Sequence, residues 1–196
     1  HLIDNIKDQF IKPIAKTFNY DFKFYIKEVK LNLSRKMTRM KQIELQKGKL
    51  SDSDVDLNIL TALKSAFYMY IRQLYNKPEK YGFDTMVFSS VYYFIRNYTY
   101  SGMFRYNSNG DFNVPYGGIG YNKNNLDKKI SYISGDLIQS KLKKTVIEHN
   151  DFYDFMKNKK FTSDDFIFLD PPYDTEFSTY DKNNFEEIFI KFMNTS

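Results

Sequence analysis

The sequence predicts an α/β fold. In the second half of the chain, apolar β-prone runs at residues 145–148 and 166–169 alternate with segments of helical periodicity, and strands that alternate with helices form parallel sheets. In the first half, long helix-like segments precede an Asn109-Gly110 dipeptide between two short β-prone runs. We therefore expect a parallel sheet, together with a mostly helical region that carries one β-hairpin.

The composition favours a soluble protein with a polyanionic partner. The 196 residues can bury one core, or one core and a smaller module. The net charge of +5 and the isoelectric point near 9.0 suit nucleic acid. There is no cysteine and there are only two histidines, which argues against disulfides, metal sites and a Ser-His-Asp triad. No apolar run approaches the roughly 20 residues that span a bilayer, so we expect a cytoplasmic protein without a membrane anchor.

The first fifty residues predict one apolar helix and one basic segment. Residues 1–17 have apolar side chains at helical spacing and an interruption at Pro13. The basic segment that follows contains Arg35, Lys36, Arg39, Lys41, Lys47 and Lys49. If this segment is helical, several of its charges share a face that could lie along phosphates, but a solvated helix is an equally good interpretation.

Two helices are predicted before the hairpin. Residues 51–54, with the sequence Ser-Asp-Ser-Asp, are typical of an N-cap region, and apolar residues at helical spacing continue to about Tyr75. A second helix is predicted from Asp84 to about Tyr98. Aromatic side chains with this spacing more often form a core than a ligand site.

The hairpin is predicted at residues 104–117 because Asn-Gly between β-prone runs is a strong hairpin signal. It places Arg105 near a polar, aromatic loop. A two-stranded ribbon fits the major groove of DNA, where arginine can bind guanine through two hydrogen bonds. Alternatively, the hairpin is a surface feature, and Arg105 contacts a phosphate or an internal carboxylate.

Beyond the hairpin we expect a helix at about residues 126–141, a strand at 145–148, a short helix from Asp151, a strand at 166–169 and a helix at 184–193. The chain contains neither a G-x-G-x-x-G nor a Walker A sequence. Nothing in it therefore predicts binding of a nucleotide phosphate.

The sequence Asp170-Pro171-Pro172-Tyr173 follows the second predicted strand, and the carboxyl end of a strand is where α/β enzymes place their ligands. The amino group of adenine is a poor nucleophile unless hydrogen-bond acceptors hold both of its protons. The Asp170 carboxylate and the Pro171 carbonyl could be those acceptors, since Pro172 restricts Pro171 to an extended backbone. Tyr173 could stack on the base once it has left the duplex. A simple turn is the alternative.

Together these segments resemble the Dam-like group of N6-adenine DNA methyltransferases. The similarity spans roughly residues 68–185 and includes the stretch at 70–76, the helix and turn at 93–102, Arg105, the stretch at 112–117 and the Asp-Pro-Pro-Tyr sequence. The resemblance implies a Rossmann-like class I methyltransferase sheet with an inserted, mostly helical DNA-recognition domain. Residues 1–20 and 124–196 would belong to the catalytic domain, and residues 21–123 would form the recognition domain.

The resemblance also implies the roles of individual residues. Methyl transfer would go from S-adenosylmethionine to a flipped adenine in double-stranded DNA, without metal. The catalytic residues would be Asp170, Pro171, Pro172 and Tyr173, and the cofactor would contact Asp170, Asp151 and Phe152. DNA would be bound by Arg105, Tyr100, Ser101, Met103, Asn113 and Pro115, with Arg105 on guanine. A GATC-like target follows from the same comparison, although Ser101 replaces the usual asparagine and Met103 the usual leucine.

The family's glycine-rich cofactor segment is not found in this sequence. We therefore expect the chain to be an internal part of a larger enzyme, to need the remainder of that enzyme as a partner, and to be inactive alone. The alternative is a DNA-binding module or an inactive methyltransferase remnant, and methylation of RNA or of a protein amide is a third possibility. The sequence leaves open whether the enzyme serves restriction-modification, a phage or housekeeping.

Overall fold

A computed structural model of the protein describes residues 20–157 and 159–170. The chain divides into two compact units, residues 1–130 and 131–196. The helices predicted at residues 1–17 and 184–193 lie outside the described residues.

The first unit is built on an antiparallel pair of long helices, α1 (Phe22–Lys47) and α2 (Asp52–Tyr75). Gly48 ends α1 with φ 90°, a backbone conformation that disfavours residues with a Cβ atom. Ser51 caps α2, since its hydroxyl accepts a hydrogen bond from the Asp54 N–H at 3.1 Å. The predicted N-cap region and the predicted end of this helix near Tyr75 are both confirmed.

Two shorter helices follow, α3 (Pro78–Tyr81) and α4 (Thr85–Tyr98). The Asp84 carboxylate caps α4 by accepting from the Val87 N–H at 2.8 Å, which confirms the helix predicted from Asp84 to about Tyr98. Helix α4 packs against α2 through aromatic pairs. Phe94 contacts Phe67 with 5.3 Å between ring centroids, and another pair joins Tyr75 to Phe88.

The core of this unit is rich in aromatic side chains, as the sequence predicts. Its buried members come from the helices and from the segment after the hairpin turn: Tyr25, Ala66, Tyr68, Tyr70, Ile71, Leu74, Val91, Ile95, Phe112, Val114 and Tyr116. Aromatic rings in tilted and edge-to-face contact add to the stabilisation from apolar burial. The core therefore joins the helices and the hairpin into one packed unit.

The hairpin turn lies at the predicted position, but it is not flanked by continuous strands. Tyr106 forms an isolated antiparallel bridge with Phe112, and Thr99 forms another with Tyr116. The Gly110 N–H donates to the Asn107 carbonyl at 3.0 Å, and Gly110 has φ 79°. This is a three-residue loop closed by a glycine in the left-handed region. Short 3₁₀ turns at Tyr100–Gly102 and Ile119–Lys123 flank the hairpin.

The remaining helices are α5 (Leu126–Ser134), α6 (Asp136–Leu142) and α7 (Phe152–Lys157). The sequence predicts a single helix over about residues 126–141, but Gly135 has an extended backbone, with ψ 146°, and separates α5 from α6. Glycine is a weak helix former. The short helix predicted from Asp151 is confirmed.

The prediction of an α/β fold with a Rossmann-like sheet is wrong. Within residues 20–157 and 159–170 there is no β-strand, and residues 145–148 and 166–169 have no regular secondary structure. Their apolar side chains are exposed, with Ile147 83% and Phe166 90% accessible. A parallel strand needs neighbouring strands for its hydrogen bonds and for burial of both faces. The described part of the chain offers these two runs no such neighbour.

Candidate nucleic-acid interface

One side of α2 holds the backbone of the hairpin. The hydroxyl of Tyr68 donates to the Val114 carbonyl at 3.0 Å, and Nη1 of Arg72 donates to the same oxygen at 3.1 Å. Four residues further along, the Asn76 side chain donates to the Phe112 carbonyl at 3.0 Å and accepts from the Phe112 N–H at 2.9 Å. Residues spaced by four share one face of a helix. We call these three residues the α2 polar face, although Asn76 is the residue that caps the C-terminal end of α2 rather than a member of the helix.

The α2 polar face supplies hydrogen bonds that a neighbouring β-strand would otherwise give to the backbone of the hairpin. An amide side chain offers one donor and one acceptor, as a peptide group does, so Asn76 satisfies both backbone groups of Phe112. These bonds matter because Phe112 and Val114 are buried, and a buried backbone group without a partner costs about 1–3 kcal/mol. The hairpin is therefore fixed to the helices rather than to a sheet.

The guanidinium of Arg72 is half-buried in this arrangement. Burial lowers the pKa of Arg72, and the nearby groups of Tyr68, Glu28 and Asp111 oppose that effect. Burial also raises the pKa of the Tyr68 phenol. The phenol therefore stays protonated at neutral pH and remains a hydrogen-bond donor to Val114.

Arg105 and Asn113 lie opposite each other on the two sides of the hairpin. The Asn113 N–H donates to the Arg105 carbonyl at 3.1 Å, and Nε of Arg105 donates to Oδ1 of Asn113 at 3.2 Å. Side chains of extended residues alternate between two sides. Since Phe112 and Val114 point into the core, the side chain of Asn113 is directed outwards. Arg105 is exposed.

A second loop lies beside the hairpin. The Tyr100 N–H donates to the Pro115 carbonyl at 2.9 Å, which joins the two loops directly. Ser101 has φ 51°, in the left-handed region that a residue with a Cβ atom seldom adopts, and Gly102 follows with φ 64°. The side chains of Tyr100, Met103 and Pro115 are exposed. The structure thus brings together all six residues predicted to bind DNA.

The net positive charge of the chain is concentrated in helix α1. It contains eight lysines and arginines and two glutamates, a net charge of +6, while the whole chain has +5. Glu28 is buried, and Glu44 accepts a hydrogen bond from the Leu50 N–H at 3.2 Å. Among the described residues, no carboxylate forms an ion pair with the cations of α1. Within the described residues, the exposed cations of α1 therefore form a basic surface that no ion pair neutralises.

The model of the D12 class of N6 adenine-specific DNA methyltransferases matches residues 1–195 of the chain. The chain belongs to this family. The match covers nearly the whole sequence and confirms the resemblance on which the residue assignments rest.

Two curated type II methyltransferases are similar to this D12-class chain. M.CviBI of Paramecium bursaria Chlorella virus NC1A is 37% identical over 108 residues, which are 53% of this chain and 36% of that protein. M.MjaIII of Methanocaldococcus jannaschii is 25% identical over 186 residues, 92% of this chain and 58% of that protein. The chain thus spans between about a third and three fifths of these relatives. No solved structure matches it.

The predicted catalytic and cofactor residues of this D12-class chain lie in the second unit. Pro171, Pro172 and Tyr173 are outside the described residues. Asp170 and Asp151 are both exposed. The Asp151 carboxylate accepts from the Tyr153 N–H at 2.9 Å and so caps α7. Phe152, the third residue predicted to contact the cofactor, begins α7 and is partly buried.

The described residues contain no group of histidine and carboxylate side chains that could hold a metal ion. None of their helices is both long and apolar enough to cross a membrane.

The α2 polar face is the functional feature that sequence reasoning missed. Arg72 and Asn76 lie in the family-like stretch at residues 70–76, and Tyr68 lies where the similarity begins, but the sequence predicts no role for any of the three. The available signal was the placement of these three polar side chains at every fourth position, among the mostly apolar and aromatic residues at the C-terminal end of the helix. Such a stripe indicates that the helix faces unpaired backbone groups rather than another apolar surface.

Proposed function

We propose that the full-length protein is a DNA methyltransferase that transfers a methyl group from S-adenosylmethionine to N6 of an adenine in double-stranded DNA. Family membership supports the reaction. The hairpin that the α2 polar face fixes is the observation that supports a role of these residues in DNA recognition. It presents Arg105 beside the exposed side chains of Tyr100, Met103 and Pro115. A rigid support for the recognising side chains is what discrimination between bases requires.

The proposed chemistry rests on Asp170 and the residues after it. Bound S-adenosylmethionine would supply the methyl group. The Asp170 carboxylate and the Pro171 carbonyl would accept hydrogen bonds from the adenine amino group, and Tyr173 would stack on the flipped base. Stacking of a base on an aromatic side chain contributes about 1–3 kcal/mol and offsets part of the unstacking cost.

The proposed target is a GATC-like sequence, with Arg105 bound to a guanine in the major groove. Tyr100, Ser101, Met103 and Pro115 would contact neighbouring bases or intrude between them. The strained turn at Ser101 supports this role, because strained backbone is common where a loop must present side chains to a ligand. The protein would act on DNA in the cytoplasm of a bacterium or of a phage-infected cell.

The basic surface of α1 would bind DNA phosphates outside the target sequence. Lys23, Lys27, Lys30 and Lys41 are exposed and share one face of the helix. Each neutralised phosphate contributes about 0.9 to the slope of log affinity against log salt. Replacing these four lysines with glutamine should therefore lower that slope, with no change in base preference. Replacing the exposed Lys141, Lys143, Lys144 and Lys160 is the matched control, and an equal decrease there would exclude a special role of α1.

The catalytic proposal is tested with Asp170→Ala in the full-length protein. We expect transfer of labelled methyl groups to duplex DNA to be abolished, while the affinity for DNA is largely kept. Asp164→Ala is the control, since Asp164 is an exposed carboxylate close by in sequence. Equal loss of transfer and DNA binding in Asp170→Ala would refute a catalytic role. DNA binding without transfer by the unaltered protein would favour a DNA-binding module instead.

A further inference from the structure

The contact between Asn113 and Arg105 restricts how Arg105 can bind a base. A guanidinium has five N–H donors, of which Nε carries one. In Arg105 that donor is bound to Oδ1 of Asn113 at 3.2 Å. The four donors on the two terminal nitrogens have no acceptor among the described residues. An arginine can contact guanine either with both terminal nitrogens or with Nε and one of them. Here only the first arrangement keeps the bond to Asn113.

Asn113 is itself held in place on both sides. Its neighbour Phe112 is bound through both backbone groups by Asn76, and the carbonyl of Val114 accepts from Tyr68 and Arg72. The backbone that carries the Asn113 side chain is therefore held in place. The long side chain of arginine has many rotamers in solution, and their loss on binding lowers affinity. An acceptor bound to Nε removes part of that loss before DNA arrives.

We propose that Asn113 is a positioning residue, which holds Arg105 so that its two terminal nitrogens recognise a guanine. This inference rests on the proposed base recognition by Arg105. The chain of contacts runs from the α2 polar face through the backbone of residues 112–114 to the side chain of Asn113 and then to Arg105. An amide is suited to this place because it accepts from Nε without adding a negative charge next to DNA phosphates.

A double-mutant cycle in the full-length protein tests the inference. Binding to a randomised duplex library gives the preference at each base position for the unaltered protein, Asn113→Ala, Arg105→Ala and the double variant. We expect Asn113→Ala to lower the preference at the position recognised by Arg105 by about twofold to tenfold, from the rotamer freedom restored to one side chain. In the Arg105→Ala background, Asn113→Ala should cause no further loss.

Two variants separate positioning from direct contact with DNA. Asn113→Asp keeps an acceptor for Nε, so the base preference should persist while the affinity for all sequences falls through repulsion of phosphates. Asn109→Ala, at an exposed asparagine in the hairpin loop, should leave the preference unchanged. An equal effect of Asn113→Ala with and without Arg105 would overturn the inference and leave the function of Arg105 intact. An unchanged preference in Arg105→Ala would overturn base recognition itself.

Discussion

Residues 112–114 and 166–169 are both short β-prone runs, but they have different surroundings. In the first run Phe112 is 1% exposed and its backbone is bound by a helix side chain. In the second, Phe166 is 90% exposed and the described residues have no regular structure around it. Both runs favour an extended backbone, yet the hydrogen bonds of an extended chain come from its neighbours. The presence of a hydrogen-bonding partner, rather than β-propensity, therefore decides which of the two runs is fixed in place.

The strongest test of this comparison is the same substitution in both runs. Phe112→Ala should lower the free energy of unfolding by about 3–5 kcal/mol, because it leaves a cavity between Tyr75 and Phe104. Phe166→Ala should change it by less than about 0.5 kcal/mol. Urea titration followed by tyrosine fluorescence is suitable, since the chain has no tryptophan. A similar loss of unfolding free energy in the two variants would mean that residues 166–169 are also buried in solution.

The next test removes a hydrogen-bonding partner of residues 112–114 and leaves the sequence of that run unchanged. Asn76→Ala should lower the free energy of unfolding by about 1–3 kcal/mol, because the Phe112 N–H and carbonyl lose their partners. Asn58→Ala is the control, since the Asn58 side chain bonds only to the Asp54 carbonyl within α2. Amide hydrogen exchange should show faster exchange at Phe112 in Asn76→Ala. Unchanged protection there would contradict the role assigned to the α2 polar face.

Alkaline pH tests the aromatic packing around the first run. Burial raises the pKa of Tyr25 and of Tyr116 to about 12, from an unfolded value near 10. Between these values the unfolded chain has lost protons that the folded chain keeps, so stability falls as pH rises. We expect the free energy of unfolding to be insensitive to these two phenols below about pH 10 and to decrease between pH 10 and 12. Tyr116→Phe should make that decrease shallower, and an unchanged slope would contradict burial of this phenol.

The smallest expected effect concerns the loop next to the hairpin. Ser101 has φ 51°, and the left-handed region costs a residue with a Cβ atom roughly 1–2 kcal/mol. Ser101→Gly removes this strain but increases the entropy of the unfolded chain, so a net gain of up to about 1 kcal/mol is expected. Ser101→Val should instead destabilise. A melting temperature that rises in Ser101→Val would show that Ser101 does not have this conformation in solution.

Local signals in the sequence were sufficient for most helices and for the hairpin turn. The caps at Ser51 and Asp84 and the glycine of the loop act on neighbouring residues, so their effects follow from a few letters of sequence. The resemblance predicted the family correctly, and the six residues that it assigns to DNA binding, Arg105 among them, lie on two neighbouring loops. The strand at residues 166–169 was predicted wrongly, because β-propensity does not say whether a partner strand is present.

The α2 polar face could not be assigned from the sequence for a related reason. Its three residues act on backbone groups of residues 112 and 114, which lie 36 to 46 positions away in the chain. Only the packing of the hairpin on α2 brings them together. Helix spacing alone places the three side chains on one face, but it does not say what lies against that face.

The central claim is that the helix-supported hairpin recognises DNA sequence and that α1 contributes affinity without recognition. The most direct measurement compares Arg105→Ala with Arg39→Ala in the full-length protein, using affinities for duplexes that differ at single base pairs. The account predicts that Arg105→Ala loses about 1–3 kcal/mol of discrimination at one position, whereas Arg39→Ala weakens binding equally for all sequences. Uniform weakening by Arg105→Ala, without loss of discrimination at any position, would contradict the account.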